Sequence, residues 1–375
     1  MTASAPAAPP KTRVKHLHEV DIVRILTFLC VIAVHTISHT AAASDIGLYA
    51  ALGLVHITRE VFFALSAFVL VYSYLGNPVP MKRFWPRRFL LVGVPYLVWS
   101  AIYFTASSVN SPHGTVLEAL GRFVQQVVTG SAWYHLYFLL VTMQVYLLVP
   151  VIVWVVKKTR RHHVTLLAVA FVLQVAFYWY LAYGPKEPDW LASYSKIYFF
   201  TYTFFILLGA VLADHARELI PWVARHRRLI GWITLGTGLF TLAVFAFVHW
   251  VMGYSYYRAG TPLQPVMVVW SLAIGLAFLA VGSYWAERRT PGTRFSRLID
   301  TASDRSFGIF LSHPLVLWLI LLPGPNWLTA TIPDPWSTLV AYLTVIIGAI
   351  LITEVARRTP ASLALTGRPF RRKGA

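Results

Sequence analysis

Residues 18–41 read HEVDIVRILTFLCVIAVHTISHTA. From Ile22 to Ala41 the run has the length and apolar character of a bilayer-crossing helix, which takes about 20 residues. It also carries Arg24, His35 and His39, with Asp21 just before it. At about 100° per residue, Asp21, Arg24, Thr27, His35, Ser38 and His39 fall on one face. Arg24 and His35 are nearly eclipsed, and eleven residues of helix separate them by about 16 Å, half the hydrocarbon thickness. An apolar helix with one polar stripe has to turn that stripe towards other helices, so the segment announces a membrane bundle.

The rest of the chain agrees. Only 12% of its 375 residues are charged and 57% are hydrophobic, against about 25% charged in an ordinary soluble chain. Further spans are expected at residues 54–75, 89–106, 133–156, 164–183, 197–213, 229–251, 266–285, 307–322 and 337–355. The fold class is therefore all-α, a polytopic integral membrane helix bundle of about ten transmembrane helices. The ninth span is short, and Pro314 predicts a kink or tilt in it. Between the third and fourth spans, Leu117, Leu120, Phe123, Val124, Val127 and Val128 recur at helical spacing beside polar residues. That pattern predicts an amphipathic helix at the interface, either a lid over an outward-facing site or a helix packed on the bundle.

The net charge of +18 does not make this a nucleic-acid protein, because the basic residues sit in short clusters between apolar spans. Their placement orients the bundle. With the N-terminus inside, all but Arg24, Arg59, Arg122, Lys186, Lys196 and Arg258 of the 32 lysines and arginines fall in inside segments. The positive-inside rule thus predicts that both termini are cytoplasmic. The domain reading is a cytoplasmic tail over 1–17, a transmembrane domain over 18–356 and a basic cytoplasmic tail over 357–375. Lys11, Arg13 and Lys15 before an apolar run, with Ala41, Ala42 and Ala43 after it, imitate a signal peptide. The length of the run and its charges favour a retained span. Cys30 is the single cysteine, which excludes an intramolecular disulfide.

Ionisable residues in a span are costly and point to function. On the first span, interhelical hydrogen bonding alone is the competing explanation, but Asp21 and Arg24 are an i,i+3 pair and a histidine suits base chemistry near neutrality. The second span adds His56, Arg59, Glu60 and Ser66, with His56 and Glu60 four residues apart near a helix end where water is the alternative. Trp133, Tyr134, His135 and Tyr137 mark an interface, where aromatics belong regardless of function; Gln144 and Tyr146 go deeper. His313 precedes Pro314. Lys82, Arg83, Arg87 and Arg88 stand at the inner mouth of the third span, where guanidinium groups suit phosphates and topogenic charge is the alternative. No phosphate loop, dinucleotide fingerprint or metal-ligand cluster is legible.

Five blocks carry a resemblance. HEVDIVRILTFLCVIAVH resembles the opening of the membrane acyltransferase-3 family, marked by an arginine and a histidine with ten residues between them, here Arg24 and His35. Asp21 matches an acidic residue three places earlier. EVFFALSAFVL is similar to the FF-x-x-S-G block through Phe62, Phe63 and Ser66, with Ala67 in place of glycine. KRFWPRRFLLVGVPYLVWS resembles a segment of the polysaccharide O-acetylase branch. WYHLYFLLVTMQVYLLVP resembles a further block with Tyr137 at a tryptophan position, and FGIFLSHPL another with Phe310 in place of tyrosine.

The resemblance implies transfer of an acyl group, commonly acetyl, from acyl-CoA to an extracytoplasmic acceptor such as a sugar, glycan or glycolipid hydroxyl. It implies a multi-pass protein of the bacterial plasma membrane, in contact with the lipid bilayer, that uses acetyl-CoA as co-substrate and holds no permanent cofactor or metal. On it, His35 is the catalytic base or transient acyl carrier and Arg24 helps to hold donor or histidine, with Asp21 beside it; for such a donor, Arg83, Arg87 and Arg88 are the candidate phosphate-binding residues by their position. Glu60, Ser66, His135, Tyr146 and His313 are candidates for acceptor contacts or for supporting positions. The competing class is a transporter or flippase in which the same stripe lines a substrate path.

Overall fold

The computed structural model describes residues 16–42, 44–110, 114–185, 188–324 and 327–370, and these are helical with no strand among them. The first span is α1 (His18–Thr40). The expected second span is two helices, α2 (Ile46–Val55) and α3 (Thr58–Gly76), with a break at His56 and Ile57. The third, α4 (Met81–Asn110), contains Pro86 and Pro95 and runs well beyond 89–106. Next come α5 (Val116–Thr129), α6 (Tyr137–Lys158) and α7 (His163–Tyr183). After α8 (Asp189–Tyr194) the chain passes through short 3-10 turns into α9 (Thr203–Asp214) and then α10 (Ala216–Arg225). Residues Phe199–Asp214 meet Ala216–Arg225 at 93°. Then follow α11 (Arg227–Ala246), α12 (Tyr256–Ala259), α13 (Val266–Arg288), α14 (Arg294–Leu321), α15 (Trp327–Thr331), α16 (Trp336–Arg357) and α17 (Ser362–Thr366). Among the described residues, nine helices are long and apolar enough to cross a membrane, or ten when the bent pair counts as one.

The ninth span departs most from expectation. It is not short: α14 has 28 residues and continues as helix through Pro314. Its first turns are too polar to register as a span, and their charges are paired instead. Asp300 meets Arg289 at 2.8 Å, while Arg305 binds Glu354 at 2.6 Å and Arg357 lies 3.2 Å from Asp304. Lys11, Arg13, Lys15, Lys186, Arg371, Arg372, Lys373 and Ala43 lie outside the described residues. The described part of the C-terminal segment folds back: Trp99 donates to the Leu365 carbonyl at 3.0 Å, and Arg368 lies 3.4 Å from Asp304.

α1 packs on α2, α3, α13, α14 and α16. Small residues bring the backbones together, as helix packing in lipid requires where no hydrophobic effect drives association. A Cβ on Gly209 of α9 would lie 2.0 Å from the Ala64 carbonyl oxygen of α3, and one on Gly282 of α13 would lie 2.3 Å from that of Glu19. The outer faces of α7, α11 and α16 present Val172, Trp179, Trp232, Leu239, Leu343 and Ile347 to lipid.

Where helices break inside the bundle, side chains take over the backbone's hydrogen bonds. Gln144 donates to the Ile197 carbonyl at 2.7 Å and accepts from the Phe199 N–H at 3.1 Å. Gln174 does the same for Thr201 and Phe204, at 2.8 and 3.3 Å. The amphipathic helix α5 has a Thr115–Glu118 capping box and no buried residue. It rests on α4, with Phe123 against Phe104 and Tyr96 donating to the Val127 carbonyl.

The close approach of α3 and α9 makes a test of the packing. Gly209→Ala forces the two backbones apart and should cost about 1–3 kcal/mol, seen as a lower unfolding temperature in detergent. Gly236→Ala, where nothing lies within 4 Å of the added carbon, should be neutral or stabilising by up to about 1 kcal/mol. Equal effects at both positions would contradict the packing.

Candidate active site

α1 and α14 run side by side in the same direction, and their facing residues build the site from both ends. At the end of the bundle that holds the basic clusters, Arg24 Nη1 donates to Ser303 Oγ at 2.9 Å, and Ser303 Oγ donates to Asp21 Oδ1 at 2.7 Å. Asp21 is buried, its other oxygen meets His16 Nε2 at 2.7 Å, and Arg24 lies 3.9 Å from it directly. The i,i+3 pair of the sequence therefore works through a serine on another helix. Held in this way, Arg24 faces a cavity of about 190 Å³ between α1, α3, α4, α6 and α14. Arg88, Tyr146, Ser66, Thr27 and Ser306 share its wall. Both charges on the wall are positive, so the cavity suits an anionic or strongly polarised group.

The cavity ends at Phe62 and Phe310, whose rings stack at 6.0 Å. Beyond them lies a group of histidines. The His35 and His313 rings stack at 5.4 Å, His135 lies edge-on to His313 at 5.5 Å, and Tyr134 covers His35 at 4.5 Å. His313 donates from Nδ1 to the Phe310 carbonyl at 2.8 Å, because a carbonyl only accepts. Its Nε2 is then a lone pair, buried and without a partner. Both ring nitrogens of His135 and the Tyr134 hydroxyl are likewise buried and unpartnered. Unsatisfied polar groups are costly in such a place, and four of them in one group make it a candidate site for a polar molecule. His35 is half-buried, and no side chain or carbonyl among the described residues holds its ring by a hydrogen bond.

The structure thus brings together many of the expected residues. Arg24, Arg88, Ser66 and Tyr146 surround the cavity, and His35, His135 and His313 form the group beyond it. Arg83 and Arg87 are exposed at the basic end, outside the cavity wall. Glu60 is not solvated: it is fully buried, accepts from the Tyr178 hydroxyl at 2.8 Å and lies 3.9 Å from Arg59. His56 sits in the break between α2 and α3 and binds the Gly260 carbonyl at 2.7 Å, so it is not Glu60's partner. Ser303 was not legible as a site residue. The available signal was the spacing of Ser303, Ser306, Phe310 and His313 along one face of α14.

The fold and site are those of a polytopic membrane protein with a basic inner cavity and, beyond it, His35 of α1, His313 of α14 and His135 from the turn before α6. Residues 17–354 match the family model of the acyltransferase domain, of the acyltransferase-3 type, and the chain belongs to that family. The searches of curated proteins and of solved structures returned no match.

The Ser303 relay can be tested by itself. Ser303→Ala removes two bonds to charged groups, each worth about 1.5–3 kcal/mol, and 1.4 kcal/mol is about tenfold in rate. Acyl transfer in membranes with matched protein amounts should fall by about tenfold or more, with Ser303→Thr retaining most of it. Full activity in Ser303→Ala would show that Arg24 needs no relay.

Proposed function

We propose that this membrane acyltransferase takes an acyl group, acetyl in the first instance, from acyl-CoA at the cytoplasmic face. It delivers the group to a hydroxyl of an extracytoplasmic or membrane-associated acceptor, a cell-surface glycan. The observation that carries this reading is the division of the site along α1 and α14, with arginines at the basic end and histidines beyond the Phe62–Phe310 stack. The positive-inside rule assigns the basic end to the cytoplasm and both termini with it. A cavity of about 190 Å³ is below the roughly 300–1,000 Å³ of pockets that enclose a whole small molecule. It fits the narrow thioester arm of the donor. The nucleotide then stays at the rim, where Arg83 and Arg87 are exposed to its phosphates, while Arg24 and Arg88 line the path of the arm.

In the transfer step the acceptor hydroxyl attacks the thioester carbonyl while His35 takes its proton. A C–O bond forms, the C–S bond breaks, and CoA leaves as a thiolate that takes up a proton. The Tyr134 O–H, unpartnered and against His35, is a donor for the oxyanion. His313 presents only a lone pair at Nε2 and serves as an acceptor for the incoming hydroxyl or a water. Family membership supports this enzyme reading over a transporter.

Sided membrane vesicles test the reading. Acyl-CoA added outside inverted vesicles should release free CoA when acceptor is present, and the same donor added outside right-side-out vesicles should not. Arg88→Ala should raise the apparent KM for acyl-CoA by about tenfold or more, leaving protein amount unchanged. Donor use from the opposite face would overturn the orientation. An unchanged KM in the double Arg87→Ala/Arg88→Ala variant would return these arginines to topogenic charge.

A further inference from the structure

The sequence holds no metal-ligand spacing, but folding brings His163, Asp214 and His215 together at the 93° turn between α9 and α10, outside the acyl-transfer site. One donor atom from each lies within 4.8 Å of the other two. The hydrogen bonds of the two imidazoles fix their tautomers. His163 is buried, and its Nε2 meets the Val156 carbonyl of α6 at 2.8 Å. A carbonyl only accepts, so Nε2 carries the proton and Nδ1 of the neutral ring is a lone pair. His215 Nδ1 lies 3.2 Å from the Glu218 carboxylate, which places a proton on Nδ1, so that in the neutral ring Nε2 is a lone pair. These two lone pairs, His163 Nδ1 and His215 Nε2, face each other at 3.0 Å.

Two lone pairs at that distance repel unless a cation, a proton or a metal ion, lies between them. Metal-binding histidines have this arrangement, with the second ring nitrogen donating to a carbonyl or carboxylate that sets tautomer and ring direction. Around a tetrahedral ion with Zn–N bonds of about 2.0–2.1 Å, two nitrogens lie about 3.3 Å apart, close to the spacing here. Asp214 supplies an oxygen donor from the last residue of α9. Arg160 Nε sits 3.1 Å from Asp214 Oδ2, but the Arg160 side chain is exposed and the carboxylate has a second oxygen. Asp214 and Glu218 together offset the charge of a divalent ion.

We infer that His163, Asp214 and His215 form a binding site for a divalent transition metal ion, zinc first among them given two imidazoles and a carboxylate. The fourth position is open to water. Such an ion ties the start of α7 to the end of α9 and, through Val156 and Glu218, to α6 and α10. It is a structural staple on the turn, and it does not depend on which acyl donor the enzyme uses.

The test uses the full-length, tag-free protein in detergent, with Co2+ as the probe. Wild type should bind one equivalent saturably, with the visible absorption of a four-coordinate ion, and Zn2+ should displace it. His215→Ala truncates a half-exposed side chain and leaves the core intact. It should weaken Co2+ binding by more than tenfold, and Glu218→Ala, which removes only the orienting carboxylate, by about 10–100-fold. Added Zn2+ should raise the unfolding temperature of wild type and not that of His215→Ala. Absence of saturable Co2+ binding by wild type, the result if a shared proton alone joins the rings, would overturn the site. Equal affinity in wild type and His215→Ala would do the same.

Discussion

Arg24 is carried into an apolar bundle because Ser303 and Asp21 meet it there. A guanidinium inside a membrane span is costly without partners, and the cost grows with its depth. The Ser303 contact offsets that cost only when α1 and α14 lie side by side in one register. That register has a second consequence three turns further on, where it sets His35 against His313. The arginine end and the histidine end of the site are two results of one helix pairing. Close backbone approaches at Gly282 and Gly209 hold the surrounding helices tightly enough to keep it.

Phe62 and Phe310 stack between the cavity and the histidines, and Phe310 also lies edge-on to His135. On the proposed function, a thioester arm that enters past Arg24 and Arg88 meets these rings before it reaches His35. On the same reading the stack would keep water from the transfer site, and exclusion of water is what strengthens its electrostatics.

What was legible in the sequence was what violates the local rule. Arg24 and His35 stood out because charged and titratable groups in an apolar run are expensive, and their spacing gave the shared face. The bundle followed from apolar length. Other features depend on distant partners. Ser303 reads as an ordinary serine in a polar stretch until α1 is beside it. Gln144 and Gln174 reveal their purpose only with the broken backbone at 197–204. His135 looked like an interfacial aromatic because its neighbours Trp133 and Tyr134 are. The burial of Glu60 depends on Tyr178 of α7, far away in sequence, and the polar beginning of α14 is helical because its charges are paired with other helices.

The central claim is that His35 performs the chemistry, and His35→Gln tests it most directly, since glutamine keeps much of the size and hydrogen bonding but is no base. Acyl transfer should be measured in membranes that contain equal amounts of wild type and variant. The account predicts a loss of about 10²–10⁴-fold, the usual worth of a general base, with insertion and unfolding temperature unchanged. Wild-type turnover by His35→Gln would contradict it.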